Sequence, residues 1–165
     1  MVVVFIRHGI AEKARNPETD AARELTPEGR RKMARIAKGL ERMVPDLEDA
    51  YLWTSPLVRA RQTAEILADR LETLQKRKEQ PFLAEPEWEG PASALRALPA
   101  NATVLMVGHE PYLGDWCKEL CGARLLFRRG GAAAVEFSDG PDKPGTLLWF
   151  AQPRMLQMMR RDSKE

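Results

Sequence analysis

The sequence predicts a single-domain α/β fold, a three-layer α/β/α sandwich built around a mostly parallel sheet. Short apolar runs alternate along most of the chain with segments whose apolar residues recur at helical spacing. This alternation is typical of right-handed strand–helix–strand crossovers, which cover both faces of a parallel sheet. The length of 165 residues is enough for one domain with a sizeable core, and 44% hydrophobic and 30% charged residues are ordinary for a soluble globular protein.

Five apolar runs predict the strands of this sheet. Val2–Ile6, Ala50–Trp53 and Thr103–Val107 are short, rich in Val, Leu or aromatic residues, and end abruptly in polar or turn residues, as buried parallel strands do. The runs Ala132–Phe137 and Thr146–Ala151 are joined by the turn-rich stretch SDGPDKPG. We expect these two to add an antiparallel hairpin, or a nearby pair of strands, to the sheet.

Helices are predicted between the strands from their start signals and their periodicity. Thr26 and Ser55 are each followed by a proline, so each is interpreted as an N-cap with proline at the first helical position. Apolar residues then recur at helical spacing after both caps. A shorter helix is predicted over Ala92–Leu98 and another over Pro111–Leu120.

Composition excludes several classes of function. The 26 basic and 24 acidic residues give a net charge of +2, which is too small to indicate nucleic-acid binding. The basic run QKRKEQ at 75–80 contains an acidic residue, lacks aromatic residues and is predicted to be a solvated helix end. No apolar run approaches the roughly 20 residues that span a bilayer, and the N-terminal run lacks the basic leader of a signal peptide. We therefore expect a cytoplasmic protein that binds neither membranes nor nucleic acid.

Two cysteines and the last residues have simple interpretations. Cys117 and Cys121 lie four apart in a helical pattern, with no further Cys or His nearby to complete a metal site. We expect reduced thiols packed on one helix face. Residues 160–165 are predicted to be a charged tail. The sequence shows no heptad pattern and no exposed apolar edge strand, so a monomer is expected.

The chemistry is expected at one edge of the sheet, because ligands of open α/β sheets bind outside the carboxyl ends of the strands. Arg7 and His8 end the first predicted strand, and His109 follows the third. Arg59 lies in the first turns of the helix after the second strand. Both histidines of the chain and two arginines therefore belong to the same edge.

Each of these residues alone has an ordinary interpretation, as a hydrogen-bonded loop histidine or a solvated helix arginine. Together they predict a compact cationic pocket with helix N-termini pointing into it. Guanidinium forks and imidazoles in such a pocket suit a tetrahedral dianion such as a phosphoryl group. We therefore expect phosphate or another oxyanion to bind there.

Several stretches of the chain occur in the order found in a known family. They are RHGIAEK, ARELTPEG, LWTSPLVRARQTAEIL, VLMVGHEPYLGDW and GTLLWFAQPRML. The chain resembles the histidine phosphatase superfamily and, within it, the SixA-type phosphohistidine phosphatases. The resemblance spans nearly the whole chain and implies a phosphoglycerate mutase-like fold, with residues 1–159 as the histidine phosphatase domain.

The resemblance implies a role for each matching residue. His8 matches the nucleophile that becomes transiently phosphorylated. Arg7 and Arg59 match the arginines that grip the phosphoryl oxygens, and His109 matches the residue that completes the pocket. Arg23, just before the ELT of the second stretch, matches an arginine that also reaches the phosphate.

The proton donor for the leaving group is left open by the sequence. Many members of the family place a glutamate after the second helix, where this chain offers Glu85, Glu87 and Glu89. Glu85 fits the family position best, although a loop carboxylate is solvated by default. Arg61 lies two residues from Arg59 and is expected to face elsewhere.

The implied chemistry requires no metal ion or other cofactor. A neutral imidazole nitrogen of His8 attacks phosphorus in line with the leaving group, and a backbone carbonyl or a carboxylate holds the proton on the other ring nitrogen. Fixed guanidinium and imidazole donors stabilise the charge on the equatorial oxygens. Water then hydrolyses the phosphohistidine.

Three functions are compatible with these features. The first is a phosphatase for protein phosphohistidine, with a histidine-containing phosphotransfer domain as a candidate partner. The second is a phosphomonoesterase for small phosphate esters, which a pocket crowded by Trp88 or Trp116 would favour. The third, a non-catalytic phospho-binding module, is disfavoured because all four central positions are retained. A mutase is disfavoured because the short chain has no room for insertions over the pocket.

Overall fold

The computed structural model describes residues 1–72 and 76–159 of the chain. Its strands are β1 (Val2–Arg7), β2 (Tyr51–Thr54), β3 (Lys76–Glu79), β4 (Thr103–Gly108), β5 (Ala132–Glu136) and β6 (Thr146–Ala151). Its α-helices are α1 (Pro27–Met43), α2 (Val58–Arg70), α3 (Glu89–Arg96), α4 (Tyr112–Cys121) and α5 (Pro153–Met158). The predicted tail at 160–165 lies outside the described residues.

The strands form one six-stranded sheet in the order β3-β2-β4-β1-β5-β6. β3, β2, β4 and β1 are mutually parallel, β5 is antiparallel to β1, and β6 is antiparallel to β5. The α/β fold with a mostly parallel sheet is confirmed, and the last two strands form the predicted antiparallel pair. Because β4 lies between β1 and β2, the carboxyl ends of these three strands are neighbours.

Helices pack on both faces of the sheet. α1, α2 and α5 pack against one face and α3 and α4 against the other, which gives two apolar clusters. Side chains alternate between the two faces along a strand, so successive residues of β1 belong to different clusters. Val4 and Ile6 belong to one cluster, and Val3 and Phe5 belong to the other. Burial on both faces explains why β1 reads as a continuous apolar run.

Local start signals predict one helix correctly and mislead at another. Thr26 is the N-cap of α1, and its side-chain oxygen accepts a hydrogen bond from Gly29 N at 2.9 Å. Ser55 does not cap α2, which begins at Val58 after an N-cap at Leu57. Its hydroxyl accepts a hydrogen bond from Leu57 N at 3.2 Å and faces the sheet edge instead.

The prediction that QKRKEQ is a helix end is wrong for the residues the structure describes. Lys76–Glu79 form β3, an exposed edge strand that pairs with β2. All four residues are charged, so the strand has no apolar alternation to indicate it in the sequence. Charged side chains are common on edge strands, where they oppose pairing with other chains.

The remaining helices differ from the predictions mainly at their ends. α3 begins at Glu89, three residues before the predicted start, and α5 was not predicted. Cys117 and Cys121 are free thiols, with Cys117 buried and Cys121 half-buried on α4. Burial raises the pKa of the Cys117 thiol to about 12, which keeps it protonated. Among the described residues, no helix is long and apolar enough to cross a membrane.

Candidate active site

His8 lies immediately after β1, buried at the sheet edge with 5% of its surface exposed. Its backbone N–H donates to Gly108 O at 3.1 Å, which joins the ends of β1 and β4. Its ring Nδ1 lies 2.7 Å from Gly9 O. A carbonyl oxygen only accepts, so Nδ1 carries the proton and Nε2 keeps its lone pair. The expectation that a backbone carbonyl or a carboxylate fixes this tautomer matches the observed contact.

The glycine after His8 is required by close packing. A Cβ at Gly9 would lie 2.7 Å from Cγ of Met33 on α1. Gly9 N donates to Oγ1 of Thr63 at 3.0 Å, and the Thr63 hydroxyl donates to Arg59 O at 2.8 Å. Thr63 therefore ties the end of β1 to the first turns of α2.

Arg59 brings its guanidinium to the reactive nitrogen of His8. Arg59 Nε donates to His8 Nε2 at 3.3 Å. Its Nη1 donates to the backbone oxygen of Asp20 at 2.9 Å, and its Nη2 to Asp20 Oδ2 at 3.3 Å. The side chain is almost fully buried, so its fork is fixed in place.

Arg7 is held from the other side of the pocket by the loop before β5. Its Nη1 donates to Phe127 O at 2.7 Å. Gly130, with a positive φ of 88°, donates its N–H to the backbone oxygens of Arg7 and His8 at 3.0 and 3.1 Å. Arg7 Nε is buried and has no hydrogen-bond partner among the described residues.

His109 lies beside His8 at the end of β4, with 5.2 Å between the ring centroids. His109 Nε2 is 2.7 Å from Oγ of Ser55. The Ser55 oxygen accepts from Leu57 N, and we assign the Ser55 proton to a hydrogen bond with Nε2, which gives that hydroxyl both a donor and an acceptor partner. The proton of the imidazole then resides on Nδ1, which is buried and has no partner within the described part of the chain.

Burial keeps both histidines neutral. Desolvation, followed by the charges of His109, Arg59 and Arg7, lowers the pKa of His8 to about 3, against the raising effect of the Gly9 carbonyl. Desolvation and the nearby Arg59 lower the pKa of His109 to about 4. The pocket therefore combines a neutral nucleophilic nitrogen with permanent guanidinium charge, because arginine does not deprotonate in proteins.

Arg23 lies at the mouth of the pocket and is linked to Arg59 through one carboxylate. Arg23 Nε donates to Asp20 Oδ1 at 2.9 Å, and its Nη1 donates to Glu12 O at 3.1 Å. Burial is the largest single influence on the Asp20 pKa and raises it, but the charges and hydrogen bonds of Arg59 and Arg23 together outweigh burial, so the pKa is lowered. Arg23 therefore lies near the predicted site and is connected to Arg59 through the Asp20 carboxylate.

The three candidate acids lie on the surface. Glu85 ends the 3₁₀ helix Pro81–Ala84 and is exposed, as is Glu87. Leu83 O lies 3.6 Å from where a Cβ at Gly108 would stand, which places this segment beside the end of β4. Glu89 instead pairs with Arg96 on α3.

Arg61 faces away from the pocket, as predicted. It is exposed, and its Nη1 pairs with Glu79 Oε1 on β3 at 3.4 Å. Arg59 is therefore buried in the site, whereas Arg61, two residues later on the same helix, is exposed to solvent.

Four residues of this site were not assigned a role from the sequence. The sequence pattern indicates only a helix cap at Ser55, and Thr63 follows Arg59 by four residues, a spacing that places both on one face of α2. Glu110 accepts from Gly114 N at 2.7 Å and so caps α4; burial raises its pKa, although the Gly114 N–H and the charge of Arg7 oppose this. Asp20 gave no signal, since an acid in a polar loop is ordinary.

Comparison with known proteins places these features in context. Residues 3–100 match the sequence model of the histidine phosphatase superfamily (branch 1). An uncharacterized protein of Picosynechococcus sp. is 36% identical over 82% of this chain and 89% of its own length. The structure of the protein histidine phosphatase SixA complexed with tungstate is 28% identical, with a TM-score of 0.79 over 93% of this chain and 98% of that one.

A more distant structure shares only the fold. It is the phosphoserine phosphatase of Entamoeba histolytica in complex with 3-phosphoglyceric acid. It is 17% identical, with a TM-score of 0.64 over 94% of this chain and 98% of that one.

Proposed function

Because this chain belongs to the histidine phosphatase superfamily and is a phosphatase, we propose that it removes the phosphoryl group from phosphohistidine displayed on another protein. The observation that carries the proposal is the geometry at His8. Its Nε2 keeps a lone pair, its Nδ1 proton is fixed by Gly9 O, and the buried Arg59 guanidinium donates to the reactive nitrogen at 3.3 Å.

The first step transfers the phosphoryl group to His8. Nε2 attacks phosphorus, a P–N bond forms to His8, and the bond from phosphorus to the leaving group breaks. Arg59 Nε, which donates to Nε2 in the free protein, donates instead to a phosphoryl oxygen once the lone pair is consumed. When the substrate is phosphohistidine, the imidazole that leaves takes up a proton from solvent.

Two orphaned donors complete the oxyanion site. Arg7 Nε and His109 Nδ1 are both buried without a partner in the described structure, which is unusual for buried polar atoms. A phosphoryl group on His8 would give each of them an acceptor. The solved SixA structure holds tungstate, a tetrahedral oxyanion, which supports phosphate binding by this pocket. Arg23 is proposed to contact the same oxyanion from the mouth.

The second step is hydrolysis of the enzyme intermediate. Water attacks phosphorus, the P–N bond to His8 breaks, and inorganic phosphate leaves with the proton of the water transferred to solvent or to a carboxylate at the mouth. His8 Nε2 regains its lone pair while Nδ1 remains protonated throughout. Glu85 is proposed as the acid for ester leaving groups, which need a proton more than the labile phosphoramidate does.

The tryptophans do not crowd the pocket. Trp88 and Trp116 are buried in the apolar core, where their rings pack against Phe5. Their indole N–H groups donate to backbone oxygens of Pro141 and Pro86. Neither tryptophan therefore narrows the site, which favours a phosphohistidine on a protein surface, such as a histidine-containing phosphotransfer domain, over a small ester.

The test is an assay in EDTA that compares the wild type with His8→Ala. The substrates are a phosphotransfer protein that carries labelled phosphohistidine and an aryl phosphate. We expect rapid loss of label from the protein with the wild type and none with the variant. Turnover of the aryl ester alone would move the assignment to a small-molecule phosphatase. Equal inertness of both proteins on both substrates would favour a binding module.

A further inference from the structure

The loop before β5 and the start of α5 lie together at the active-site edge of the sheet. Ala132, the first residue of β5, pairs with Ile6 of β1 and with Ala151, the last residue of β6. The chain just before β5 and just after β6 therefore lies beside His8. These two segments form one wall of the pocket, opposite the loops that carry Asp20 and Glu85.

Gln152 fastens the two segments to each other. Its side-chain nitrogen donates to Leu126 O at 2.7 Å, and its side-chain oxygen accepts from Arg128 N at 3.0 Å. The same loop binds Arg7 through Phe127 O. This wall is therefore rigidly connected to the proposed phosphate-binding residues.

Exposed apolar side chains are concentrated on this wall. Large hydrophobic side chains with high exposure in the described part of the chain are Leu126 (67%), Met158 (73%), Met155 (57%) and Leu148 (46%). The first three belong to the loop and to α5. Exposed apolar side chains that cluster next to a functional site mark interaction surfaces.

The same surface is basic. Arg128, Arg129 and Arg154 are exposed, and none of them forms an ion pair within residues 1–72 and 76–159. Residues 122–131 and 152–159 contain no Asp or Glu. A groove of about 320 Å³ between α1 and α5 is lined by Arg35, Arg154, Gln157 and Met158.

We propose that this surface docks the phosphoprotein substrate. We call it the arginine rim, and it comprises Leu126, Arg128, Arg129, Arg154, Met155 and Met158. The occupant it fits is a folded protein that presents phosphohistidine on a surface of acidic residues with some exposed apolar side chains. The inference rests on the proposed function and deepens it, because it names the feature by which a protein substrate is selected.

Size and charge support a protein as the occupant. The groove beside Met158 extends the surface along α5 and is lined by none of the proposed phosphate-binding residues, so it offers contacts in addition to those of the phosphoryl group. Arginine and methionine are enriched in protein interfaces, and unpaired surface charge raises association rates with a partner of opposite sign. The opposite wall carries the exposed carboxylates of Glu85 and Glu87, which form no ion pair among the described residues, so a partner with one acidic side is oriented by the contrast.

The experiment compares Arg128→Glu/Arg154→Glu with a control, Arg77→Glu. Arg77 is exposed on β3, at the other edge of the sheet. Arg129 is left intact because its charge acts on Arg7. Each protein is assayed with a phosphohistidine-bearing phosphotransfer protein and with an aryl phosphate, at low and high salt.

We expect the double variant to lose about tenfold or more in kcat/KM on the phosphoprotein, mainly through KM, and to lose most of the salt dependence. Its aryl phosphatase activity, which also reports correct folding, should stay within about twofold, as should both activities of Arg77→Glu. Unchanged turnover of the phosphoprotein by the double variant would overturn the docking surface while leaving the proposed function intact. Equal losses on both substrates would assign the rim to support of the pocket instead. A wild type that turns over only the aryl ester would overturn both proposals.

Discussion

The floor and the mouth of the pocket are held by different forces. The floor consists of His8, His109, Arg7 and Arg59, which are mostly buried and fixed by backbone carbonyls and by the neighbouring strands. The mouth carries Asp20, Arg23 and Glu85, which are exposed or half-exposed; ion pairs hold Asp20 and Arg23, and Glu85 has no such partner among the described residues. Charge–charge interactions between solvent-exposed groups are weak and are screened by salt. The same interactions are stronger where the groups are buried away from water.

This difference predicts a division of labour between the two regions. Changes in the floor should affect the chemical step for every substrate. Changes in the mouth should be smaller and should depend on which substrate is used. The predictions below test that division.

The largest effect is expected for Arg59→Ala. Loss of a buried donor to the transferring phosphoryl group should lower kcat about a hundred- to a thousandfold on aryl phosphate. Arg61→Ala is the matched control on the same helix and should remain near wild-type activity. Arg23→Ala should lose only several-fold, because a contact to the oxyanion from the half-exposed mouth is weakened by water, as its ion pair with Asp20 is. An Arg23→Ala loss as large as that of Arg59→Ala would mean that the mouth and the floor act as one unit.

The floor should also make folding sensitive to acid. His8 and His109 have pKa values of about 3 and about 4 in the folded chain and ordinary values near 6.5 when unfolded, so protons bind more tightly to the unfolded chain. Stability is thus complete above about pH 6.5 and falls as the pH is lowered toward these pKa values. Each histidine should contribute a slope of about 1.4 kcal/mol per pH unit between pH 6 and 5.

Urea unfolding as a function of pH measures this slope, and NMR of the two imidazoles identifies its source. The chain has only two histidines, so His109→Gln assigns both rings. That variant should halve the acid dependence. Titration of either ring near pH 6.5 in the folded protein would contradict the buried, neutral floor.

Ser55→Ala should disturb His109 in the floor, although Ser55 itself is not proposed to contact phosphate. It leaves Nε2 of His109 without its partner in a buried site, which should cost about 1–3 kcal/mol of unfolding free energy and lower kcat. Thr26→Ala is the matched control, because it removes a cap of α1 whose hydroxyl bonds Gly29 N and Ile10 O and no residue of the floor. It should cost about 1 kcal/mol in denaturant unfolding and leave kcat/KM unchanged. If the two variants lose equal stability and neither loses activity, Ser55 does not position His109.

The smallest effect is expected at the mouth, for Glu85→Gln. Its carboxylate is exposed and forms no hydrogen bond or ion pair with the residues that the structure describes. If Glu85 protonates the leaving group, the variant should slow alkyl phosphate hydrolysis much more than aryl phosphate hydrolysis. Steady-state rates on a matched pair of esters decide the point. Small and equal effects on both would remove Glu85 from the mechanism.

Much of the fold was predictable because its signals are local. β6 has the predicted bounds, the other predicted strands begin or end within one residue of them, and Thr26 caps α1 as expected. β3 was missed because its four charged residues carry no pattern. Ser55 misled because a serine before a proline reads as a helix cap, whereas its hydroxyl is shared with a histidine from another strand.

By itself, the sequence determined the buried strands and the reactive residues at their ends, since apolar runs and the motifs around Arg7, His8, Arg59 and His109 are contiguous in the chain. Only the tertiary structure decided which side chains share those ends. The order β2-β4-β1 brings Ser55 to His109, the 3₁₀ helix Pro17–Ala22 brings Asp20 to Arg59, and the pairing of β1 with β5 and β5 with β6 brings the arginine rim beside the pocket. Each of these contacts depends on sheet order and loop packing between distant segments, which local propensity does not encode.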